Sequence, residues 1–435
     1  MERTLITDLR TKLNQDVKIQ GWVQEFRNVS KIKFIILRDR TGDMQTVAFK
    51  GETPEIPFNL INDVTKESVI EIIGVPVESK ESRWGLEVKI RDFKIISKAL
   101  TPLPIDNSDK GLTGIEKRLD NRFLDTRNAK VGSIFKVRSK IVKILTNYFD
   151  ASGFTNINSP KMTAMGVESG AECFKVDYFG KPMFLAQSPQ VYKQMFVCGG
   201  FERVYEIGAI FRAEKSHTTR HLTEFTGVDF EMGFINDFTD IMDFIENIFQ
   251  DLTTKLPIEA ASELAILGVT IPNMVKIPRI TVQQAKDMLK PLGKSYPDND
   301  DLDAEGEKMI GEIFREKHGT EFVFVTHFPW AIKPFYQTKD ETNPNVTKSF
   351  DLLYNGVEIC SGSEREHRYD VWAAQAQEKG LNPELMKEYG DLFRFGAPKH
   401  GGAGFGLDRI THRLLKLDNI REAVLLPRDP ERMKP

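Results

Sequence analysis

Residues 203–235 read RVYEIGAIFRAEKSHTTRHLTEFTGVDFEMGFI, and this stretch decides the fold of the larger part of the chain. Its first part, 204–211, is predicted to be a β-strand, and a polar loop follows. In 228–234 apolar residues alternate with other residues, which indicates a second strand with one buried face. We therefore expect an antiparallel hairpin with one wet face. The residues predicted on that wet face are Phe225, Asp229 and Glu231.

Cationic residues cluster at the loop end of this hairpin, namely Arg212, Arg220 and His221. Cations bind phosphate groups, and an aromatic ring such as Phe225 can stack on a base. The hairpin therefore fits a nucleotide site. By spacing alone, a surface loop held by salt bridges fits the same pattern equally well.

Composition limits the classes of protein that the chain can belong to. Its 435 residues are enough for two or three domains, and 40% of them are hydrophobic and 28% charged, as in globular proteins. The formal net charge of −3 is not the basic excess typical of nucleic-acid binders. If the protein binds RNA, its positive charge must be concentrated locally.

The cysteines indicate a reducing compartment. Cys173, Cys198 and Cys360 are scattered, odd in number and without metal-ligand spacing. No apolar run approaches the roughly 20 residues that cross a bilayer, and the first residues lack the shape of a signal peptide. We expect a cytoplasmic protein.

The character of the sequence changes near residue 105. Short alternating segments within 17–96 predict a small five-stranded β-barrel, and the prolines within 101–106 predict an extended connector. Beyond it, apolar residues spaced by three or four predict a helix that begins near Ser133 and ends at Gly153. The predicted fold class is α+β. The predicted domains are a barrel over 1–104, a hinge over 105–131 and an α+β body over 132–435.

Three segments resemble, in order, the three motifs of class II aminoacyl-tRNA synthetases. Residues 153–161 resemble motif 1, the dimer-forming segment, and residues 211–222 resemble motif 2. Residues 404–409 resemble motif 3, in which a strand leads into a helix with Arg409 in its first turn. The resemblance implies a catalytic domain built on an antiparallel sheet flanked by helices. It also implies that the barrel is an OB-fold that binds the tRNA anticodon.

Other segments narrow the resemblance to aspartyl enzymes of archaeal and eukaryotic type. Residues 186–194, AQSPQVYKQ, look like the segment that binds the substrate side chain, and 356–367 and 419–430 resemble the same group. Asparaginyl relatives lack the lysine that stands here at 193. Two alternatives stay open: an asparagine–tRNA ligase, and a non-catalytic synthetase-like RNA-binding paralogue. Charging of tRNA(Asn) besides tRNA(Asp) is also open.

The resemblance implies a site for ATP. Its implied residues are Arg212, Glu214, Arg220, His221, Leu222, Phe225, Glu358, Gly406 and Arg409. Arg212 and Arg409 are the implied catalytic residues: Arg212 would span the α-phosphate and the substrate carboxylate. Phe225 and Arg409 would enclose the adenine. A run such as GGAGFG at 401–406 could be mistaken for a dinucleotide-binding loop, but no βαβ unit surrounds it.

Glu358 and Ser361 look like the ligands of Mg²⁺, the implied cofactor, since a carboxylate and a hydroxyl suit this hard cation. Positions three apart point to opposite faces of a regular strand. Both residues can therefore reach one ion only if the strand bulges or ends near Gly362. Asn355-Gly356, just before them, predicts a two-residue hairpin turn.

The resemblance also implies a pocket for aspartate. Its implied residues are Glu168, Gln190, Lys193, Arg212, Asp229, Ser361 and Arg365. Lys193 and Arg365 would bind the side-chain carboxylate, and Asp229 would bind the ammonium group. We expect asparagine to be rejected because it would leave a buried cation unpaired.

In the barrel, the resemblance implies an anticodon site. Its implied residues are Arg27, Phe34, Gln45 and Glu87. Phe34 would stack on a base, although it could equally belong to the barrel core. The implied partners are tRNA(Asp), with tRNA(Asn) as an open question, and a second copy of the chain in a homodimer.

Overall fold

The computed structural model describes residues 1–108, 113–164, 173–213, 222–274 and 276–434. The chain divides into two compact units, Met1–Asp106 and Asn107–Pro435. No helix within the described ranges combines the length and the apolar character needed to cross a bilayer.

The first unit is a closed barrel of five strands, as predicted, and their order is β1-β2-β3-β5-β4. Its strands are β1 (Val17–Val29), β2 (Ile32–Arg38), β3 (Asp43–Phe49), β4 (Val69–Glu78) and β5 (Leu86–Ser97). A short helix, α1 (Glu55–Leu60), lies between β3 and β4. Inward residues such as Ile35 and Leu37 are fully buried in the barrel core, and the residues that alternate with them face outward.

The second unit contains the remaining helices and strands. Its helices are α2 (Ile115–Asp120), α3 (Arg122–Asp125), α4 (Ala129–Ala151), α5 (Gln190–Phe196), α6 (Phe238–Glu259), α7 (Ala261–Leu267), α8 (Val282–Leu289), α9 (Ala304–His318), α10 (Tyr369–Glu378), α11 (Lys387–Arg394) and α12 (Leu407–Leu414). Its strands are β6 (Thr155–Asn156), β7 (Met162–Thr163), β8 (Lys175–Tyr178), β9 (Lys181–Leu185), β10 (Arg203–Phe211), β11 (Glu224–Gly233), β12 (Arg279–Thr281), β13 (Phe322–Thr326), β14 (Ser349–Tyr354), β15 (Val357–Arg365) and β16 (His400–Gly406).

An eight-stranded sheet organises this unit, in the order β12-β13-β14-β15-β16-β11-β10-β6. Its neighbouring strands are antiparallel from β13 to β10, whereas β12 and β6 pair in parallel at the two edges. The predicted α+β class is confirmed, and the parallel edges are a detail that the prediction lacked. A small second sheet contains β7, β9 and β8.

One face of the large sheet is covered by helices α4 and α6. Val228 and Phe230 of β11 and Phe405 of β16 lie in this core with Ile141 and Phe249 of the helices. Because side chains alternate along a strand, the residues between these apolar ones point to the opposite face of the sheet. That opposite face carries the candidate site.

Helix α4 begins earlier than predicted. Its first residue is Ala129, and the Asn128 side chain caps it by accepting hydrogen bonds from the backbone N–H groups of Lys130 and Val131, at 2.9 and 3.3 Å. Ser133, the predicted cap, is instead buried inside the helix. The apolar spacing located the packed face of the helix but not its first turn, which carries little apolar surface.

Candidate active site

A cavity of about 690 Å³ lies on the polar face of the large sheet. It is lined by every described residue that was predicted to bind aspartate, ATP or Mg²⁺: Gln190, Lys193, Arg212, Leu222, Phe225, Asp229, Glu358, Ser361, Arg365, Gly406 and Arg409. Further predicted residues, Glu168, Glu214, Arg220 and His221, lie outside the described residues. One cavity therefore unites residues that are far apart in the sequence.

Strand pairing builds the floor of this cavity. Asp351 of β14 lies opposite Ser361 of β15, Ser361 lies opposite Gly404 of β16, and Gly404 lies opposite Asp229 of β11. Residues directly opposite one another in antiparallel strands share a face of the sheet. These four residues therefore form one row beneath the cavity.

Glycines in β16 make room for the carboxylates of β11. A Cβ atom at Gly402 would lie 2.3 Å from Oε2 of Glu231, and one at Gly404 would lie 2.9 Å from Oδ1 of Asp229. The run at 401–406 is therefore a strand whose alternate glycines face two acids, and it is no dinucleotide-binding loop.

Two cations and two carboxylates meet at one end of the cavity. Nζ of Lys193 lies 3.1 Å from Oδ1 of Asp229 and 3.3 Å from Oε2 of Glu231. Nε of Arg365 donates a hydrogen bond to Oε1 of Glu231 at 2.9 Å. We call these four residues the charge quartet. Their formal charges balance, and each of them is buried.

The quartet corrects two predictions. Glu231 does not lie on a wet face, because Lys193 and Arg365 cover it and leave it with 0% exposure. Burial raises the pKa of Glu231, but the nearby charges of Arg365 and Lys193 outweigh burial and hold it below its ordinary value. Both cations already have carboxylate partners without a substrate, so asparagine would not simply leave one of them unpaired.

The hairpin of β10 and β11 places a cation beside an aromatic ring. Strand β10 ends at Phe211, and the next residue is fixed where the backbone N–H of Arg212 donates to the carbonyl of Thr223 at 2.9 Å. The guanidinium carbon of Arg212 lies 5.4 Å from the centre of the Phe225 ring. The ring and the charge predicted for a nucleotide are therefore adjacent within the cavity.

Arg409 lies in the first turn of α12, as predicted. Its Nη1 donates to the backbone carbonyl of Glu358 at 2.7 Å, and the side chain is about a quarter exposed. The preceding residue, Asp408, is buried and accepts hydrogen bonds from Arg138 and from the backbone N–H of Thr226, both at 2.8 Å. Asp408 thus ties the start of the helix to α4 and β11, which fixes the position of Arg409.

A β-bulge resolves the difficulty of the magnesium ligands. Cys360 pairs with Leu352 and Glu358 pairs with Leu353, so Ile359 is an extra residue in β15. Ile359 and Cys360 both lie in the apolar core. Glu358 and Ser361 consequently both line the cavity, although they are three positions apart. The predicted turn at Asn355-Gly356 is confirmed, with positive φ at both residues.

Acidic side chains accumulate beside Glu358. Burial raises the pKa of Glu307 to about 8, with Glu358 and Asp351 adding to the rise. Burial likewise raises the pKa of Asp351 to about 6, and Oδ1 of Asp351 is buried without a hydrogen-bond partner among the described residues. This surplus of acid fits a divalent cation. Within the described ranges no three acid, cysteine or histidine side chains could hold a metal ion alone, so other ligands would have to complete its shell.

Two parts of the site were not predicted from the sequence. One is a segment that lines the cavity, and the other is a pair of buried side chains behind Gln190. Residues 331–337 line part of the cavity, and Nζ of Lys333 there lies 3.3 Å from Oδ2 of Asp351. Behind Gln190, the buried side chains of Gln194 and His400 are hydrogen-bonded to each other. The available signals were a histidine at the start of a glycine-rich strand and a glutamine four positions after Gln190.

On the barrel, the four predicted anticodon residues lie near one another on the outer face. Arg27 lies opposite Phe34 in the β1–β2 pair, and Gln45 lies opposite Ile36 in the β2–β3 pair. Nε2 of Gln45 donates to Oε2 of Glu87 at 2.8 Å. Phe34 is half-buried and lies outside the barrel core.

Family comparisons agree with both units. Residues 114–430 match the family described as tRNA synthetases class II (D, K and N), and residues 17–96 match the family described as OB-fold nucleic acid binding domain. The chain therefore belongs to the class II tRNA synthetases.

Within that class its relatives are aspartate–tRNA ligases. The chain is 43% identical to the aspartate–tRNA(Asp) ligase of Pyrococcus abyssi, over 99% of this chain and 98% of the relative. It is 41% identical to the aspartate–tRNA(Asp/Asn) ligase of Aeropyrum pernix, over 96% and 95%. The predicted kinship with aspartyl enzymes is confirmed, and the chain stands among the aspartate–tRNA ligases.

Solved structures show the same architecture. Asparaginyl-tRNA synthetase from Pyrococcus horikoshii, complexed with asparaginyl-adenylate, is 30% identical with a TM-score of 0.93, over 100% of both chains. Aspartyl-tRNA synthetase from Entamoeba histolytica is 30% identical with a TM-score of 0.89, over 100% of this chain and 93% of that one. The fold is thus shared by enzymes for both amino acids, and side chains must decide between them.

Proposed function

We propose that this protein joins L-aspartate to ATP, forming aspartyl-adenylate and pyrophosphate, and then transfers the aspartyl group to the 3′ end of tRNA(Asp). The observation that carries the proposal is the charge quartet, which lies in the same cavity as Arg212, Phe225 and Arg409. A site for an amino acid with a charged side chain thus adjoins a site for a nucleotide.

Selection of aspartate follows from an exchange of partners within the quartet. The ligand's ammonium group binds Asp229 and displaces Lys193, which lies only 3.1 Å from that carboxylate. The displaced Lys193 and the nearby Arg365 then bind the side-chain carboxylate of aspartate. Asparagine would displace Lys193 from Asp229 but bring no charge in return, so Lys193 and Arg365 would share the single carboxylate of Glu231, and buried charge that is not fully compensated is costly.

In the first step an α-carboxylate oxygen of aspartate attacks the α-phosphorus of ATP, and the bond to the bridging oxygen of pyrophosphate breaks. The carboxylate is already ionised, so the step needs no base. Catalysis then consists of positioning and of stabilising charge on the phosphates. Arg212 would bridge the carboxylate and the α-phosphate. Arg409 would bind the terminal phosphate and, with Phe225, enclose the adenine.

Glu358 and Ser361 would hold Mg²⁺, and their common orientation toward the cavity supports this assignment. When bound, this ion neutralises charge on the phosphates of ATP. Glu358 also holds the end of the Arg409 side chain through its backbone carbonyl. The same residue would therefore position both a cation and an arginine.

We assign tRNA binding to the outer face of the barrel. Phe34 would stack on an anticodon base, Gln45 and Glu87 would read base edges, and Arg27 would bind a phosphate. The curated relatives include ligases for tRNA(Asp) alone and for tRNA(Asp/Asn). tRNA(Asn) is therefore the second candidate substrate.

A homodimer is the proposed assembly. Strand β6 forms one edge of the large sheet, and both of its residues are exposed, so its outer backbone groups are available to another chain. Pro160 nearby is exposed, as is Phe201 just before β10. Sedimentation should give a dimer, whereas a stable and fully active monomer would contradict this assembly. Cys198 and Cys360 form no disulfide, which supports a cytoplasmic location.

The decisive experiment is amino-acid-dependent exchange of pyrophosphate into ATP. Aspartate should support exchange and asparagine should not. Exchange with asparagine alone would identify an asparagine–tRNA ligase, and exchange with neither would identify a non-catalytic paralogue. Charging of purified tRNA(Asp) and tRNA(Asn) then separates the two tRNA specificities.

A further inference from the structure

A chain of hydrogen bonds runs from a backbone carbonyl to the wall of the cavity. Nδ1 of His400 lies 2.8 Å from the carbonyl oxygen of Pro398, and Nε2 of His400 lies 2.8 Å from Nε2 of Gln194. Oε1 of Gln194 accepts a hydrogen bond from Nε2 of Gln190 at 3.0 Å. Gln190, Gln194 and His400 are 3% exposed or less, so water is excluded from these contacts.

The direction of every bond in this chain is fixed from its far end. A carbonyl oxygen can only accept, so Nδ1 of His400 must carry a proton and donate to Pro398. In the neutral ring Nε2 is then an acceptor, and Gln194 must present its N–H to it. The carboxamide oxygen of Gln194 consequently faces Gln190. Gln190 must therefore turn its own NH₂ group toward Gln194.

The neutral form of His400 fits its surroundings. Burial lowers the pKa of His400, and the charges of Arg365 and His367 lower it further, while Glu231 and the hydrogen bond to Pro398 act in the opposite direction. Tyr389, packed on the same side, donates its hydroxyl to Oε1 of Gln194, which agrees with an oxygen at that position.

We propose that Gln194 and His400 are positioning residues, which hold the Gln190 carboxamide so that its oxygen, an acceptor, is the end presented to the ligand. This inference rests on the proposed function, in which the ligand is aspartate. The only hydrogen-bond donor of aspartate is its ammonium group, since both carboxylates accept. The oriented Gln190 oxygen therefore binds the ammonium group beside Asp229.

Without this chain, the Gln190 carboxamide could reverse and present its NH₂ group to the ammonium, where two donors would face each other. This chain of hydrogen bonds thus selects ligands that place a hydrogen-bond donor beside the Gln190 oxygen. Among the described residues, its hydrogen bonds do not reach Arg212, Phe225 or Arg409, so ATP binding should not depend on it.

The test compares Gln194→Met and His400→Phe with Tyr389→Phe as the matched control. Tyr389 belongs to the same buried cluster, but its hydroxyl does not set the direction of the chain. Pyrophosphate exchange gives KM for aspartate and for ATP. Inhibition by succinate, which is aspartate without its ammonium group, gives a KI that reports only on the carboxylate contacts. Thermal unfolding checks that each variant is folded.

We expect Gln194→Met and His400→Phe to raise KM for aspartate about 10-fold, the effect of losing one hydrogen bond to a charged group. KM for ATP and KI for succinate should stay within about 3-fold of wild type, as should all three constants in Tyr389→Phe. Equal losses for aspartate and succinate, unchanged aspartate KM in both variants, or an equal effect of Tyr389→Phe would overturn the proposal. Absence of aspartate-dependent exchange in the wild-type protein would instead refute the proposed function.

Discussion

The carboxylate of Glu231 binds the guanidinium of Arg365, with 2.9 Å between Oε1 and Nε, at a position fully shielded from solvent. Because Glu231 also lies 3.3 Å from Lys193, one acid holds both of the cations that are proposed to bind the side chain of aspartate. In the proposed mode of aspartate binding, the specificity of the cavity therefore depends on an acid that holds the two binding cations in place.

The first prediction concerns that acid. We expect Glu231→Gln to lower the free energy of unfolding by about 3 kcal/mol, because removing one partner leaves buried charge uncompensated. Urea denaturation measures this loss. Gln20→Ala, which removes an outward-facing amide of the barrel, should cost less than about 1 kcal/mol. A Glu231→Gln protein as stable as wild type would show that the pairing is not essential to the fold.

The second prediction concerns selectivity. Lys193→Met should reduce the ratio of aspartate to asparagine activation about 100-fold, because the ligand carboxylate loses one of its two cations. Lys286→Met is the matched control, since Lys286 is also buried but donates to the carbonyls of Pro297, Asp298 and Asp300 outside the cavity. The control should lose stability and keep its selectivity. Exchange assays with both amino acids decide the point, and an unchanged ratio in Lys193→Met would exclude Lys193 from selection.

The third prediction concerns Arg409, in the first turn of α12. Arg409→Ala should reduce adenylate formation at least about 1,000-fold without unfolding the protein, since a cation on the phosphates stabilises charge in the transition state. Arg413→Ala changes the next turn of α12, where the arginine donates to the carbonyl of Asn355 at 3.0 Å outside the cavity. It should keep most of the exchange activity. Equal activities of the two variants would contradict the role of Arg409.

The fourth prediction separates the barrel from the catalytic unit. Gln45→Ala should reduce charging of tRNA(Asp) about 10-fold and leave pyrophosphate exchange unchanged, because only the first activity needs the anticodon. Gln20→Ala removes a similar amide, whose Nε2 donates to Glu71 at 2.6 Å in the β1–β4 pair. That control should charge tRNA normally. Parallel losses of charging and exchange in Gln45→Ala would remove Gln45 from the anticodon site.

Local spacing was sufficient to predict much of the site. The period of two in β11 placed Asp229 on the face that carries the cavity, whereas the place of Arg409 in the first turn of a helix came from the resemblance to motif 3. Glu358 and Ser361 could share a face only if the strand bulged or ended near Gly362, and the structure has a bulge at Ile359. These features depend on residues within a few positions of each other.

Features that depend on distant partners could not be predicted. The burial of Glu231 requires Arg365, which lies 134 positions away, and the role of Gln194 requires His400, which lies 206 positions away. Alternation along β11 distinguishes one face of the strand from the other. It cannot show that Lys193 and Arg365 cover Glu231 on the polar face. The sequence therefore led us to place Glu231 on a solvent-exposed face, whereas it is buried and paired with Arg365.

The pairing of β11 with β16 also has a kinetic consequence. Asp229 and Gly404 lie side by side, yet strands β12 to β15 are synthesised between them and insert elsewhere in the same sheet. Contacts between such distant parts of a chain form slowly, because a long loop must close before they contribute stability. During refolding, local helices should therefore recover before aspartate activation does. Activity in this protein would report that the whole sheet has been assembled.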